Sequence, residues 1–167
     1  MTGRIGSLSR AIIAAFLLWV AAGSTAHAEK RVALVIGNSA YRTVPALENS
    51  AADARLMANT LLSLGFFVVG GGAQLDLDKS GLDTALRQFG SQLVGADVAL
   101  FYYAGHAVEV RGVNYLVPVD ANPANEADIL AQMTATTAVL DQMEKSATRT
   151  TSCCSTPAAT IRSGIAD

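Results

Sequence analysis

Histidine and cysteine, two side chains that often carry acid–base and nucleophilic chemistry, are scarce in this chain of 167 residues. Of its two histidines, His27 lies in an N-terminal stretch with the features of a leader, which leaves His106. The two cysteines, Cys153 and Cys154, are adjacent and lie close to the C-terminal end. A disulfide between them would be strained, so in an oxidising compartment they would oxidise or pair with other chains.

Charge is also sparse. Charged residues make up 16% of the chain and the net charge is −2, which gives no support for nucleic-acid binding. Hydrophobic residues make up 51%, which excludes a disordered chain and is enough for one domain with a core. The Lys-Ser of a P-loop is missing after Gly70–Gly72, so a flexible loop is the better interpretation there. We predict neither a cofactor nor a metal site.

Only one apolar run is long, and it lies in residues 11–22. It is too short to span a bilayer comfortably. Arg4 and Arg10 precede it, and Ala26-His27-Ala28 supplies an A-x-A cleavage pattern. These features predict a signal peptide over residues 1–28, cleaved after Ala28, and a mature chain that is periplasmic or secreted and free of the membrane. An uncleaved membrane anchor is the alternative.

The most apolar stretch after the leader is Val98–Tyr103, between Gly95 and Gly105. This pattern is typical of a strand buried on both faces, in the centre of a parallel sheet. His106 follows just beyond it, and in open α/β sheets the chemistry lies beyond the carboxyl ends of the strands. A histidine there can act as general base or acid near neutral pH. The alternative is a loop histidine that is bonded to a backbone carbonyl.

Strand and helix patterns alternate around this stretch, which predicts an α/β fold with a mainly parallel sheet and helices on both faces. A capping box of Ser50 and Asp53 opens the first helix, and Gly65 ends it. The other predicted elements are strands at 31–37 and 66–69, a helix at 82–93, a hairpin at 108–116, and a third helix from Ile129 to near Lys145.

Several segments carry a more specific likeness: Arg31-Val32-Ala33-Leu34-Val35-Ile36-Gly37-Asn38, Asp53-Ala54, Leu64-Gly65-Phe66, Tyr102-Tyr103-Ala104-Gly105-His106, and Val113-Asn114-Tyr115-Leu116-Val117-Pro118-Val119-Asp120. With these motifs at this spacing, the chain from Arg31 to about Thr150 resembles the caspase-like cysteine peptidases, especially bacterial members related to metacaspases. The resemblance implies a three-layer caspase-like sandwich and a catalytic domain over residues 29–150 that is incomplete at its C-terminus.

The family hydrolyses peptide bonds with a Cys–His dyad, and the resemblance implies that His106 is its general base and acid. Gly105 and Ala107 belong to the same catalytic loop, where a backbone N–H helps to hold the oxyanion. The family usually has glycine directly after the histidine, whereas this chain has Ala107. A positive φ at that position would be strained for alanine.

The resemblance also implies two substrate-binding positions, Asp53 and Ala104. Asp53 matches the position at which metacaspase-like members place a carboxylate for a basic side chain before the scissile bond, where charge pairing selects Arg or Lys. The alternative is that Asp53 is only the acid of the capping box with Ser50.

The resemblance breaks at the nucleophile. The family places its cysteine at the end of the next strand, in an apolar run followed by Asp-Ala-Cys-Arg. Residues 151–160 are instead small and polar, so we expect no strand from them. Cys153 and Cys154 lie in the wrong context and are poor substitutes for the nucleophile. We therefore predict an aberrant, disordered tail over residues 151–167, low stability from an empty sheet position, and no peptidase activity.

A reading-frame shift after Thr150 explains the tail. The tail can be encoded so that one added base before Thr151 changes its start to Asn-Leu-Val-Leu-Leu-Asp-Ala-Cys-Arg, the expected strand and nucleophile. If Ser152 and Ser155 are encoded by TCN codons, four successive codons of the shifted frame have T in the second position. All codons with T in that position encode apolar residues. The restored cysteine falls at the position of Ala158. Finding no such single-base change in the encoding DNA would overturn this hypothesis.

Three functions remain open at this level. The first is a fragment of an exported caspase-like endopeptidase that cleaves peptide or protein substrates after basic residues. The second is a non-catalytic caspase-like module that binds peptides or partners. The third is an unrelated flavodoxin-like α/β domain. Absorbance of bound flavin would favour it, but the sequence contains no convincing phosphate-binding loop.

Overall fold

A computed structural model describes residues 29–145 and 150–162, with side chains described over the first of these ranges. The predicted signal peptide, residues 1–28, lies outside the described residues, as do residues 163–167. The domain boundaries therefore stay predictions.

Seven strands and four α-helices follow one another in the described part of the chain. The strands are β1 (Arg31–Gly37), β2 (Phe67–Val68), β3 (Gln74–Leu75), β4 (Val98–Val110), β5 (Val113–Leu116), β6 (Thr134–Ala135) and β7 (Thr150–Arg162). The helices are α1 (Ser50–Ser63), α2 (Lys79–Gln92), α3 (Glu126–Gln132) and α4 (Thr136–Lys145), and a 3-10 turn spans Val69–Gly71.

The strands form one mixed sheet in the order β2-β1-β4-β5-β6, with β3 also paired to β1 and β7 paired to β4. Strands β2, β3 and β4 run parallel to β1, and β7 runs parallel to β4, whereas β5 and β6 join through antiparallel pairs. This mainly parallel sheet confirms the predicted α/β, caspase-like architecture.

Both faces of the sheet carry helices. On one face, Phe101 and Tyr103 of β4 are buried in a cluster with α2 and α4. On the other face, Tyr102 and Ala104 pack against Ala54, Ala58 and Leu61 of α1. The alternation follows from the two-residue period of a strand, which puts neighbouring side chains on opposite faces. The long apolar run thus serves both layers of the core, as predicted.

Helix α1 crosses β1 at a glycine. A Cβ on Gly37 would lie 2.6 Å from the Cβ of Ala54 and 2.7 Å from the carbonyl oxygen of Ser50. Only glycine allows this approach, because real Cβ contacts are never so short. Gly37 is also the register partner of Ala104 on β4. The first turn of α1 therefore lies over the carboxyl edge of the parallel strands.

The capping box at the start of α1 is a wrong prediction. The N-cap residue is Asn49, one position earlier, and it makes no side-chain cap hydrogen bond. The N–H of Asp53 donates to the carbonyl oxygen of Asn49 at 2.9 Å, as in any helical turn. The Oγ of Ser39 instead accepts from the N–H of Ala51 at 3.0 Å, so a side chain from the preceding loop satisfies this helix end.

The third predicted helix is two helices. Met133 between them is extended, with φ −115° and ψ 169°, and Thr134–Ala135 pairs with β5. The buried face does not continue across this break. Ile129 and Met133 are buried in one cluster, whereas Val139 and Met143 of α4 are buried in another. At this point the backbone hydrogen bonds to β5 replace those that a continuous helix would make.

The expectation that no strand follows Thr150 is also wrong. The backbone of Thr150–Arg162 runs parallel to β4 and pairs with it from Val98 to Glu109. Without a neighbour, that edge of β4 would carry a row of unpaired N–H and C=O groups, and main-chain pairing satisfies them whatever the side chains are. The sheet position is therefore filled, and the low stability predicted from an empty position loses its stated reason.

Candidate active site

The candidate catalytic histidine lies inside a strand rather than in a loop. Strand β4 continues through His106 to Val110, because β5 takes over as its partner where β1 ends. The last residue of β4 to pair with β1 is Ala104, so His106 lies two residues beyond the end of the pairing with β1. This is the predicted position at the carboxyl edge of the parallel strands, reached through a longer strand than the sequence indicated.

The His106 side chain is buried, with 3% of its surface exposed. Its Nε2 lies 2.9 Å from the carbonyl oxygen of Pro45. Because a carbonyl oxygen can only accept, Nε2 carries a proton and donates it in this bond, which in the neutral form of the ring leaves Nδ1 without a proton. Nδ1 is buried and has no hydrogen-bond partner among the residues that the structure describes. The ring is thus held through one nitrogen, and the other has a free lone pair.

Two tyrosines hold the backbone of His106. Its N–H donates to the Oη of Tyr41 at 2.8 Å. The Oη of Tyr103 donates to the carbonyl oxygens of His106 at 3.0 Å and of Val117 at 2.9 Å. The two phenol oxygens are 3.3 Å apart, and Tyr41 is the donor because the Tyr103 proton serves the carbonyls. A continuous chain of hydrogen bonds therefore fixes the main chain on both sides of the imidazole.

Gly105 makes this chain possible. A Cβ there would lie 2.5 Å from the Oη of Tyr103 and 2.6 Å from the Oη of Tyr41. The role of Gly105 in the structure is thus to admit two phenol oxygens against the backbone beside His106. The sequence suggested a strand boundary at this residue, which is wrong, since β4 runs through it.

Burial makes both phenols hard to ionise. Desolvation by burial is the main cause that raises the pKa of Tyr41, and its hydrogen bonds to Tyr103 and His106 partly oppose it. The pKa of Tyr103 lies well above its ordinary value, first because of burial and second because of the neighbouring Tyr41. Both hydroxyls therefore stay protonated and keep the hydrogen-bond chain intact at neutral pH.

The loop that supplies Tyr41 and Pro45, here termed the clamp loop (residues 38–49), is anchored at its start. One carboxylate oxygen of Asp76 accepts from the N–H groups of Ser39, at 2.7 Å, and of the next residue, at 2.8 Å. Asn38 is fully buried, and its amide donates to the carbonyl oxygen of Val117 at 3.2 Å. The position of the carbonyl that holds His106 thus depends on hydrogen bonds to Asp76 and Val117, and not on the loop alone.

The expected strain at Ala107 does not occur. Ala107 lies in β4 opposite Leu116, and Asp76 and Arg111 are the non-glycine residues with positive φ in the described part of the chain. The N–H of Val117 donates to the carbonyl oxygen of His106, and in this antiparallel pattern the Ala107 N–H points away from β5. It therefore points to the edge along which β7 runs. Because β7 pairs with β4 at this level, Ala107 with Thr160, the N–H faces the β7 backbone rather than an open oxyanion site in the chain as written.

The two predicted substrate-binding residues lie at the same edge of the sheet. Ala104 is buried against α1 and is the register partner of Gly37. Asp53 is exposed in the first turn of α1, the turn that crosses Gly37. Because the capping box with Ser50 does not form, this alternative role for Asp53 has no hydrogen bond to support it. The carboxylate lies near the N-terminus of α1, where the helix dipole stabilises a negative charge.

Neither cysteine is level with His106. The backbone register pairs Cys153 with Phe101 and Cys154 with Tyr102, four or more residues before the histidine. At about 3.3 Å per residue, this separates the nearer cysteine from the level of His106 by roughly 13 Å along the strand. The residues opposite His106 are Ala158 and Ala159, because Gly105 pairs with Pro157 and Ala107 pairs with Thr160.

The sequence did not identify Tyr41, Pro45 and Asn38 as parts of the site. All three lie in a polar loop whose composition carries no hydrophobic period, and Pro45 contributes only a backbone carbonyl. Only the Gly-Asn at the end of β1 gave a signal, and it indicated a turn.

Within the described ranges, the structure holds no group of three or more His, Cys, Asp or Glu side chains suited to a metal ion. None of the helices described is long and apolar enough to cross a membrane.

Comparison with known proteins agrees with this geometry. A family model described as the caspase domain matches residues 30–156, so the chain belongs to the caspase-like peptidase family. Mucosa-associated lymphoid tissue lymphoma translocation protein 1 of Homo sapiens is 40% identical over 97 residues, and its homolog of Mus musculus is 39% identical over 97 residues. Each match covers 58% of this chain and 11% of the relative, so the chain spans about a tenth of the length of these curated relatives.

Proposed function

We propose that this chain is a fragment of a caspase-like cysteine endopeptidase in which His106 is the general base and acid, and that the chain as written lacks the nucleophile. One observation carries the proposal. The imidazole of His106 is buried at the carboxyl edge of the parallel strands, is held at Nε2 by the Pro45 carbonyl, and has Nδ1 without a partner among the described residues. A structural histidine would be expected to satisfy both nitrogens.

The geometry supports a separate role for each residue of the site in peptide-bond hydrolysis by an intact parent enzyme. Nδ1 of His106 takes the proton of a cysteine thiol, and the thiolate adds to the carbonyl carbon of the substrate. By resemblance to the family, the N–H that follows the histidine, here that of Ala107, stabilises the resulting oxyanion, which requires that the parent's neighbouring strand leaves it unpaired. The imidazolium then gives its proton to the leaving amine as the peptide bond breaks. Water hydrolyses the remaining thioester and returns the thiol.

The backbone register adds a structural argument for the frame-shift hypothesis. In the restored frame the cysteine takes the position of Ala158, and that position is one of the two that lie opposite His106. The restored Leu-Val-Leu-Leu would pair with Leu100–Tyr103, where Phe101 and Tyr103 are completely buried. A strand with the family sequence therefore fits this sheet position in both chemistry and register.

Two finer parts of the proposal rest on the sequence. The mature protein begins after Ala28 and acts outside the cytoplasm, on the strength of the predicted signal peptide. The parent cleaves after Arg or Lys, because the exposed Asp53 carboxylate at the start of α1 would pair with a basic side chain. The substrates are peptides or proteins.

A non-catalytic caspase-like module that binds peptides is the second candidate. The observation that favours it is the absence of cysteine at the positions opposite His106 in the chain as written. A chain of this kind would still bind substrate peptides through the clamp loop and α1. The two candidate functions differ in one expected result. Restoring the tail should give peptide cleavage if the chain derives from a peptidase, and no cleavage if it is a non-catalytic module.

The test starts with the DNA around Thr150 and continues with two mature proteins, one as written and one with the restored tail. We expect cleavage of Arg- and Lys-ended peptide reporters by the restored protein only. In the restored background, His106→Ala should lower kcat/KM by a factor of about 100 to 10,000. Asp53→Asn should reduce the preference for basic reporters over neutral ones about tenfold.

Matched controls separate the candidates. A restored tail with serine in place of its cysteine should fold and bind but not cleave. If the restored protein binds basic peptides and never cleaves them, the non-catalytic candidate is correct. Turnover that survives His106→Ala unchanged would contradict the role given to this histidine.

A further inference from the structure

An apolar cavity of about 280 Å³ lies next to the candidate active site. Its walls include Val44 of the clamp loop, Val108 of β4, Val117, and Ile129 and Met133 at α3. Four of these side chains are buried, and Val44 is partly buried against the same cluster. For comparison, a cavity of ~150 Å³ is sufficient to bind benzene. The cavity thus has room for one large apolar side chain.

Two connections tie this cavity to His106. Val108 lies two residues further along β4 on the same face of the strand, roughly 7 Å away at the usual rise. Val44 directly precedes Pro45, whose carbonyl oxygen holds Nε2 of His106. One wall of the cavity and the clamp on the imidazole therefore belong to the same short stretch of chain.

The cavity lies on the opposite side of His106 from Asp53. Going back along β4 from His106, Ala104 packs under α1, whose first turn carries Asp53. Going forward, Val108 belongs to the cluster that lines the cavity. A peptide that runs along β4, with its basic side chain at α1 and its scissile bond at His106, would therefore continue over the cavity.

We propose that the cavity binds an apolar side chain, of leucine to phenylalanine size, from the leaving-group side of the substrate, within two residues of the scissile bond. This inference rests on the proposed function, since it takes His106 as the position of the bond that is cut. The rim supports a peptide ligand, because exposed Asn122 and Asn125 offer polar groups beside apolar walls.

The chain as written suits a binding experiment, because without a nucleophile it should hold peptides without cutting them. Two peptides that differ only after an arginine, one with leucine and one with asparagine, are titrated into protein with labelled methyl groups. We expect the leucine peptide to bind about tenfold more tightly and to shift the methyl signals of Ile129 and Met133. Val44→Trp should remove the difference, and Val94→Trp, at a 73% exposed valine outside the cavity lining, should preserve it.

The outcomes separate this inference from the proposed function. If both peptides bind equally and the two methyl signals do not move, the cavity is not a substrate subsite, although arginine recognition stands. If neither peptide binds the folded protein, the proposed function fails and the inference fails with it. The methyl shifts in the unmodified protein decide the question even if Val44→Trp does not fold.

Discussion

The phenol oxygen of Tyr41 accepts a hydrogen bond of 2.8 Å from the backbone N–H of His106, and their rings pack with centroids 4.6 Å apart. This pair joins the clamp loop to β4 at the residue on which the proposed chemistry depends. The same loop holds the imidazole through the Pro45 carbonyl, so the orientation of the ring and the position of its backbone are set together. Preorganisation of this kind is what a general base requires.

Removing the Tyr41 hydroxyl should destabilise the protein. In Tyr41→Phe the buried N–H of His106 loses its acceptor, which costs about 1–3 kcal/mol. The free energy of unfolding in urea measures this loss. Tyr115→Phe is the control, because Tyr115 is partly buried and lies outside the hydrogen-bond chain, and it should change stability by under about 0.5 kcal/mol. Equal losses in the two variants would show that the chain contributes nothing specific.

The buried phenols predict a loss of stability at alkaline pH. Burial raises the pKa of Tyr41 and, more strongly, that of Tyr103 in the folded protein, whereas in the unfolded chain tyrosine ionises near pH 10. Their contribution is therefore fully present below about pH 10 and falls as the pH rises above it towards the folded-state pKa values. Urea midpoints measured from neutral to strongly alkaline pH should show this decline. Tyr103→Phe should make it shallower, and an unchanged slope would contradict the assignment to Tyr103.

Adding one methyl group at Gly105 should be costly. In Gly105→Ala the new Cβ would lie 2.5 Å from one phenol oxygen and 2.6 Å from the other, so the hydrogen-bond chain must open or β4 must shift. Overpacking of this kind costs about 1–3 kcal/mol. Gly72→Ala is the matched control, because a Cβ there has no heavy atom within 4 Å and its φ of 176° suits any residue. If both variants have the same midpoint in urea, the crowding at Gly105 is not real.

The centre of the fold could be predicted from the sequence, because burial leaves an unambiguous pattern. The apolar run of β4 predicted a central strand with neighbours on both faces, and Phe101 and Tyr102 do lie in opposite layers of the core. The position of His106 at the edge of the sheet followed from the end of that run. The extension of β4 through Gly105 did not follow, because the local sequence carries no sign of the tyrosine hydroxyls that require glycine there.

The contacts around the imidazole could not be predicted, because they join segments far apart in sequence. Tyr41 and His106 are 65 positions apart, and Pro45 acts through a carbonyl that every residue possesses. The split between α3 and α4 has a similar cause, since pairing of Thr134 with Leu116 depends on a distant strand. Periodicity predicted one buried face over this whole stretch. Ile129 and Met133 are instead buried in one cluster and Val139 and Met143 in another, so a single helical period does not describe both helices.

The tail shows the limit of side-chain patterns most clearly. Its small polar residues gave no strand signal, yet its backbone pairs with β4, because hydrogen-bonding groups of the main chain are nearly independent of side-chain type. The register shifts between Gly105 and Ala107, close to Pro157, which has no N–H to donate. Pairing of this kind satisfies the edge of β4 through the main chain alone.

Restoring the reading frame should therefore stabilise the protein as well as supply a nucleophile. The restored Leu-Val-Leu-Leu would replace Ser-Cys-Cys-Ser opposite Leu100–Tyr103, a stretch in which Phe101 and Tyr103 are fully buried. At about 1.5–3 kcal/mol for each large apolar side chain that is fully buried, we expect a gain of at least about 3 kcal/mol in the free energy of unfolding. Urea denaturation of the two mature proteins measures it, with serine in place of the restored cysteine to exclude oxidation.

A hybrid tail isolates the cause of this gain. It keeps the present Thr-Ser-Cys-Cys-Ser and adds the restored Asp-Ala-Cys-Arg, so that it has the nucleophile without the apolar strand. We expect the hybrid to have the same free energy of unfolding as the chain as written, because its backbone pairing already exists and the residues opposite Leu100–Tyr103 are unchanged. If the fully restored tail gives no more stability than the hybrid, the sheet position beside β4 does not select an apolar strand, and the frame-shift hypothesis loses its structural support.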